Sequence, residues 1–98
     1  MQESVAYLET ASGRKYLGQL CKHFAHKIAV TYTESRGDCR FPRGEAIFEA
    51  DESGLSMAVS AADAEGLAQT QAIIESHLLR FAFREKLEGL DWRQARAA

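Results

Sequence analysis

Proline occurs once in this 98-residue chain, at Pro42, and tryptophan once, at Trp92. With so little proline and an ordinary apolar share of 46%, the chain is neither collagen-like nor of a composition that stays disordered. No apolar run approaches the ~20 residues that a membrane-crossing helix needs. The first eight residues include Glu3 and lack a basic stretch followed by an apolar one, so no secretory leader is expected. That places the chain in the cytoplasm, away from membranes. Cysteine is scarce as well. Cys21 and Cys39 stand at no metal or redox spacing, and in a cytosolic chain they are expected reduced, partly buried and not bridged. A polybasic tract is missing too. The first fifty residues hold 7 Lys/Arg and 6 Asp/Glu and the rest 5 and 8, so the net charge of -2 conceals a mildly basic half and an acidic one. Neither half could neutralise many phosphates.

What is present suits one domain over 1–98, with a polar tail from about residue 93. A chain of this size buries roughly 65% of the surface that its unfolded form exposes, enough for a two-layer core without disulfides or metal. Val5-Ala-Tyr-Leu-Glu-Thr10 has the β-branched and aromatic content of an opening strand. Thr10 or Ser12 then offers a hydroxyl cap for a helix reaching about Lys27. Its apolar positions, Tyr16, Leu17, Leu20, Cys21, Phe24 and Ile28, fall within an arc of about 140° at helical spacing.

From Ile28 the period changes from 3.6 to 2. Ile28, Val30 and Tyr32 alternate with small and polar residues, and a turn centred on Gly37 follows. Cys39 and Phe41 lead to a break at Pro42-Arg-Gly44; Ala46 to Ala50, a turn at Asp51 to Gly54, and Leu55 to Ala61 complete a four-strand meander. Asp63 caps the last helix, which carries one stripe of Leu67, Thr70, Ile74, His77, Leu78 and Phe81 and a second row of Ala72, Leu79, Phe83 and Leu87. Gly89 is the expected helix end, after which Leu90 and Trp92 could fold back. The order β-α-β-β-β-β-α predicts an α+β two-layer sandwich: a curved antiparallel sheet with two helices on one face.

Two stretches carry a resemblance: Tyr16-Leu17 with Leu20-Cys-Lys-His-Phe-Ala-His-Lys27, and His77-Leu-Leu-Arg-Phe-Ala-Phe-Arg-Glu85 followed by Trp92. In order and spacing they are similar to the bacterial family known as domain of unknown function 2218, over about Ser4 to Trp92. The resemblance implies a stand-alone cytosolic protein, or the C-terminal part of a siderophore-interacting flavin reductase, and with it a link to iron handling. It implies no activity. No flavin-reductase segment is expected in this chain.

All three histidines lie in those stretches, and His23, His26 and His77 are the candidate ligands for iron, zinc or haem. His23 and His26 are about 60° apart on a helix, and His77 would arrive from the second helix. The competing account is a histidine that bonds a carbonyl or a helix end and sets how the helices meet. Arg36, Arg40 and Arg43 surround one meander turn and could form a shallow anion site. Interleaved Glu34, Asp38 and Glu45, and the lack of alternating exposed aromatics, argue against nucleic acid. There is no Gly-rich phosphate loop, nucleophile elbow or carboxylate pair, so the expectation is a non-enzymatic binding module with no cofactor. Its predicted interface, to a protein partner or in a homodimer, is the row of Leu79, Phe83 and Leu87 rimmed by Arg80 and Arg84.

Overall fold

A computed structural model describes residues 1–94. In β1 (Gln2–Glu9), Ser4, Ala6 and Leu8 point inward while Val5, Tyr7 and Glu9 face out. The alternation is what a strand with one covered face requires. Helix α1 (Gly13–Phe24) buries Tyr16, Leu17, Leu20, Cys21 and Phe24, the stripe seen in the sequence. Ser12 occupies the N-cap without a side-chain bond; its backbone N–H donates instead to the Thr10 hydroxyl at 3.1 Å. The helix ends three residues before Lys27. His26 N–H bonds the His23 carbonyl and Ile28 N–H the Phe24 carbonyl, forming a tight turn that lets Ile28 and Val30 reach the core at strand spacing.

The meander is β2 (Ala29–Tyr32), β3 (Arg36–Phe41), β4 (Gly44–Ala50) and β5 (Gly54–Ala61). Its first turn lies at Thr33 to Ser35, not at Gly37. The Thr33 hydroxyl accepts the N–H groups of Ser35 and Arg36, the local bond that makes threonine a turn former. Gly37 lies inside β3, where a Cβ would run into the sulfur of Cys21, so this glycine is needed for space. At the β4–β5 turn Asp51 Oδ1 accepts from the N–H of Ser53 and of Gly54.

Helix α2 (Ala64–Phe81) starts as expected: Asp63 is extended and accepts from Gly66 N–H at 2.7 Å. It ends at Phe81, eight residues before Gly89, and this corrects the second apolar row. Phe83 belongs to a 3-10 turn (Phe83–Glu85), and Leu87 follows Lys86, whose φ of 55° reverses the chain. Leu79, Phe83 and Leu87 therefore do not share one helical face. Leu87, Leu90 and Trp92 return onto the core. Glu75 Oε1 holds that return by accepting from Leu90 N–H at 2.9 Å and Trp92 Nε1–H at 3.2 Å. Arg93 and Gln94, expected in the frayed tail, form a sixth strand (β6, Arg93–Gln94) against Val5 and Ser4; the rest of that tail lies outside the described residues.

The sheet order is β2-β3-β4-β5-β1-β6 with every described pair antiparallel. Both helices cover one face. Leu17, Leu20, Ile74 and Leu78 share a single cluster with inward-facing Phe48, Leu55, Met57 and Val59, all within 2% of complete burial. Among the described residues the other face carries no helix. Among the described residues no helix is long and apolar enough to cross a membrane.

Candidate functional site

The seam between α1 and α2 gathers the polar side chains of the two sequence stretches singled out above. The helices run antiparallel along it: Tyr16 meets Glu85 at one end, and His23 meets His77 at the other. Glu85 Oε2 accepts from the Tyr16 phenol and from the Thr10 hydroxyl, the latter at 2.9 Å. Burial, reinforced by the Glu85 carboxylate, holds the Tyr16 pKa above its ordinary value. Gln19 lies between the two ends on α1. Its Oε1 is shielded and has no hydrogen-bond partner among the described residues.

At the other end the imidazole centres of His23 and His77 are 4.7 Å apart, with planes tilted by 44°. Aromatic edges surround them: Phe24 is 5.1 Å from His77 and 5.7 Å from His23, and Phe81 is 6.0 Å from His23. Phe41 packs on Phe24 from β3 at 5.0 Å. His77 Nδ1 is 2.7 Å from the Ile73 carbonyl, which can only accept, so Nδ1 is the donor, and in the neutral tautomer the lone pair lies on Nε2. His23 is held below the ordinary imidazole pKa, first by the protein packed against its ring and then by His77, His26, Lys27 and Arg80 nearby.

Of the three candidate ligands, then, the fold joins two. His26 is exposed in the turn after α1, in no ring contact with the others. Among the described residues no group of three or more His, Cys, Asp or Glu is placed to hold a metal ion. Cys21 and Cys39 are free and fully buried, side by side, and the Cys39 thiol is pushed far above its ordinary pKa by Cys21 and by burial.

The three arginines do not converge. Arg36 and Arg40 lie on the open face of β3, Arg36 near Asp38 at 3.4 Å and Glu49 at 3.6 Å, Arg40 near Glu45 at 4.0 Å. Arg43 sits in the next turn and pairs with Asp63 at 3.2 Å, tying that turn to the start of α2. Of the predicted interface residues, Leu79 is half-buried, Arg80 is exposed and Leu87 packs on the core. Phe83 is 66% exposed, and the Arg84 guanidinium lies 5.6 Å from its ring centre.

One surface escaped the sequence reading: the uncovered sheet face. Strand register puts Ile47, Ala58 and Val5 side by side across β4, β5 and β1, all exposed, with Tyr7 one row away. The signal was present in strand parity, since Ile47 lies between inward Ala46 and Phe48, and Val5 between inward Ser4 and Ala6. A shallow depression over this row is bordered by Glu3, Glu45 and Ser60.

Comparison with known proteins agrees with the fold and supplies no activity. A search of the curated proteins gave no match. The NMR structure of PA4090 from Pseudomonas aeruginosa is similar, with a TM-score of 0.81 and 32% identity, over 99% of this chain and 100% of that one. The profile of domain of unknown function 2218, an uncharacterized protein conserved in bacteria, matches residues 5–93, a span that holds the whole seam and nearly all of the sheet. This chain belongs to that bacterial family.

Proposed function

We propose that this chain is a non-enzymatic interaction module that acts by pairing with a second copy of itself through the uncovered sheet face. The observation that carries the reading is the in-register row of Ile47, Ala58 and Val5, three apolar side chains facing solvent on adjacent central strands. A single exposed apolar residue needs no explanation, but a contiguous row on an uncovered sheet does.

The face is also self-complementary. A two-fold axis lying between β4 and β5, parallel to the strands, sets Ile47 over Ala58 of the second copy. The same axis brings Arg40 over Glu3 and Arg36 over the Tyr7 ring, and it sets the Asp38 carboxylate over Val5, which weakens the pairing. Five strands about 4.8 Å apart and about 20 Å long offer on the order of 500 Å² of sheet per copy. That is below the ~800 Å² per partner of a standard interface, so the pairing is weak and depends on concentration.

Sedimentation of the full chain across a concentration series tests it. The expected result is a monomer–dimer equilibrium that Ile47→Asp shifts to monomer without loss of helical signal. A chain that is monomeric throughout the series overturns the reading. The link to iron or haem that the family resemblance implies is supported, among the described residues, by the His23–His77 pair alone.

A further inference from the structure

The His23 and His77 ring centres lie 4.7 Å apart, and the Nδ1 side of His77 is committed to the Ile73 carbonyl. With a metal–nitrogen bond of about 2.1 Å and about 1.1 Å from nitrogen to ring centre, two imidazoles at right angles on one ion have centres about 4.5 Å apart. A tetrahedral angle gives about 5.2 Å, and ligation from opposite sides of one haem iron about 6.4 Å. The observed 4.7 Å lies nearest the right-angle case. His77 already has the arrangement of a metal-bound histidine: its Nδ1–H donates to the Ile73 carbonyl, which fixes the ring and leaves Nε2 free.

We propose that His23 and His77 together bind one divalent transition-metal ion that favours right-angle coordination, Ni(II) or Cu(II), as adjacent imidazole ligands. The site opens to solvent on the His23 side and is walled by Phe24 and Phe81. Water completes the coordination. Lys27, Arg80 and His26 add positive charge around His23, which lowers affinity for a dication. The site stands apart from the sheet-face reading, because His23 and His77 lie in the helix layer on the covered side of the sheet.

Calorimetric titration of the tag-free chain with NiCl2 tests the proposal. The expected result is one ion per chain, with affinity lowered at least tenfold by His23→Ala and by His77→Ala and unchanged by His26→Ala. Absence of Ni(II) binding, or an equal loss with His26→Ala, overturns it. Should His77→Ala fail to fold, paramagnetic broadening in the unmutated protein decides: substoichiometric Ni(II) must broaden the imidazole signals of His23 and His77 first. Broadening of His26 alone overturns the proposal. A monomeric result in the sedimentation series bears on the sheet face and leaves this outcome independent.

Discussion

The phenol of Tyr16 donates its hydrogen bond to the carboxylate of Glu85, 69 residues further along the chain. Because Thr10 donates to the same oxygen, one carboxylate just past the end of α2 holds both the β1–α1 connection and the first turns of α1. Loss of the Tyr16 hydroxyl is expected to cost about 1.5–2 kcal/mol, the low end of the range for a bond to a charged acceptor because Glu85 is exposed. The thermal unfolding midpoint of Tyr16→Phe would then fall by roughly 6–16 °C in a domain of this size.

The same bond predicts a dependence on alkaline pH. Burial and Glu85 raise the Tyr16 pKa in the folded protein above the unfolded value of 10.0, so the folded state holds this proton more tightly. Its contribution is complete below the unfolded pKa and is lost as pH rises through the folded one. Urea unfolding at pH 9 and at about pH 11 should show a steeper loss for the parent chain than for Tyr16→Phe. Equal slopes would mean that Tyr16 titrates normally.

Gly37→Ala introduces a methyl group against the Cys21 sulfur, with fully buried Phe48 close by in β4. Overpacking at such a site costs about 1–3 kcal/mol. Denaturant midpoints of Gly37→Ala and of Gly37→Ala combined with Cys21→Ala distinguish the cause: removing the sulfur should restore part of the loss.

Glu75 holds Leu90 and Trp92 through a single oxygen. Replacing it, in Glu75→Ala, should release the C-terminal return, exposing Trp92 and loosening the two-residue β6. A red shift of tryptophan emission with little change in helical signal is the expected outcome, and Trp92 makes this readout specific because it is the chain's one tryptophan.

Phe83→Asp and Val5→Asp distinguish the two exposed apolar surfaces. If copies pair through the sheet face, Val5→Asp lowers the sedimenting mass and Phe83→Asp leaves it unchanged. The reverse pattern would assign pairing to the end of α2, where Phe83 lies under Arg84.

Periodicity alone disclosed the element order, the inward residues of α1 and α2, and the Asp63 cap, because each depends on neighbours within about one helical turn or on strand parity. Side-chain competition over the same short range was harder to read. The Thr33 hydroxyl took the turn that Gly37 had suggested, and the glycine served a sulfur from a different element. The end of α2 was misplaced for a related reason: Phe83 and Leu87 keep helical spacing, but the chain gains more by sending Leu87, Leu90 and Trp92 back onto the core.

The candidate site divides along the same line. Sequence singled out His23, His26 and His77 as chemistry-bearing residues, and its alternation already implied outward-facing Ile47 and Val5. Only the antiparallel packing of α1 on α2 decided that His23 meets His77 while His26 does not, and that Tyr16 meets Glu85. Only strand register decided that Ile47, Ala58 and Val5 are neighbours. Local patterns follow from the backbone period of each segment; which residues become neighbours across segments depends on how the whole apolar set is buried at once, and no single segment carries that information.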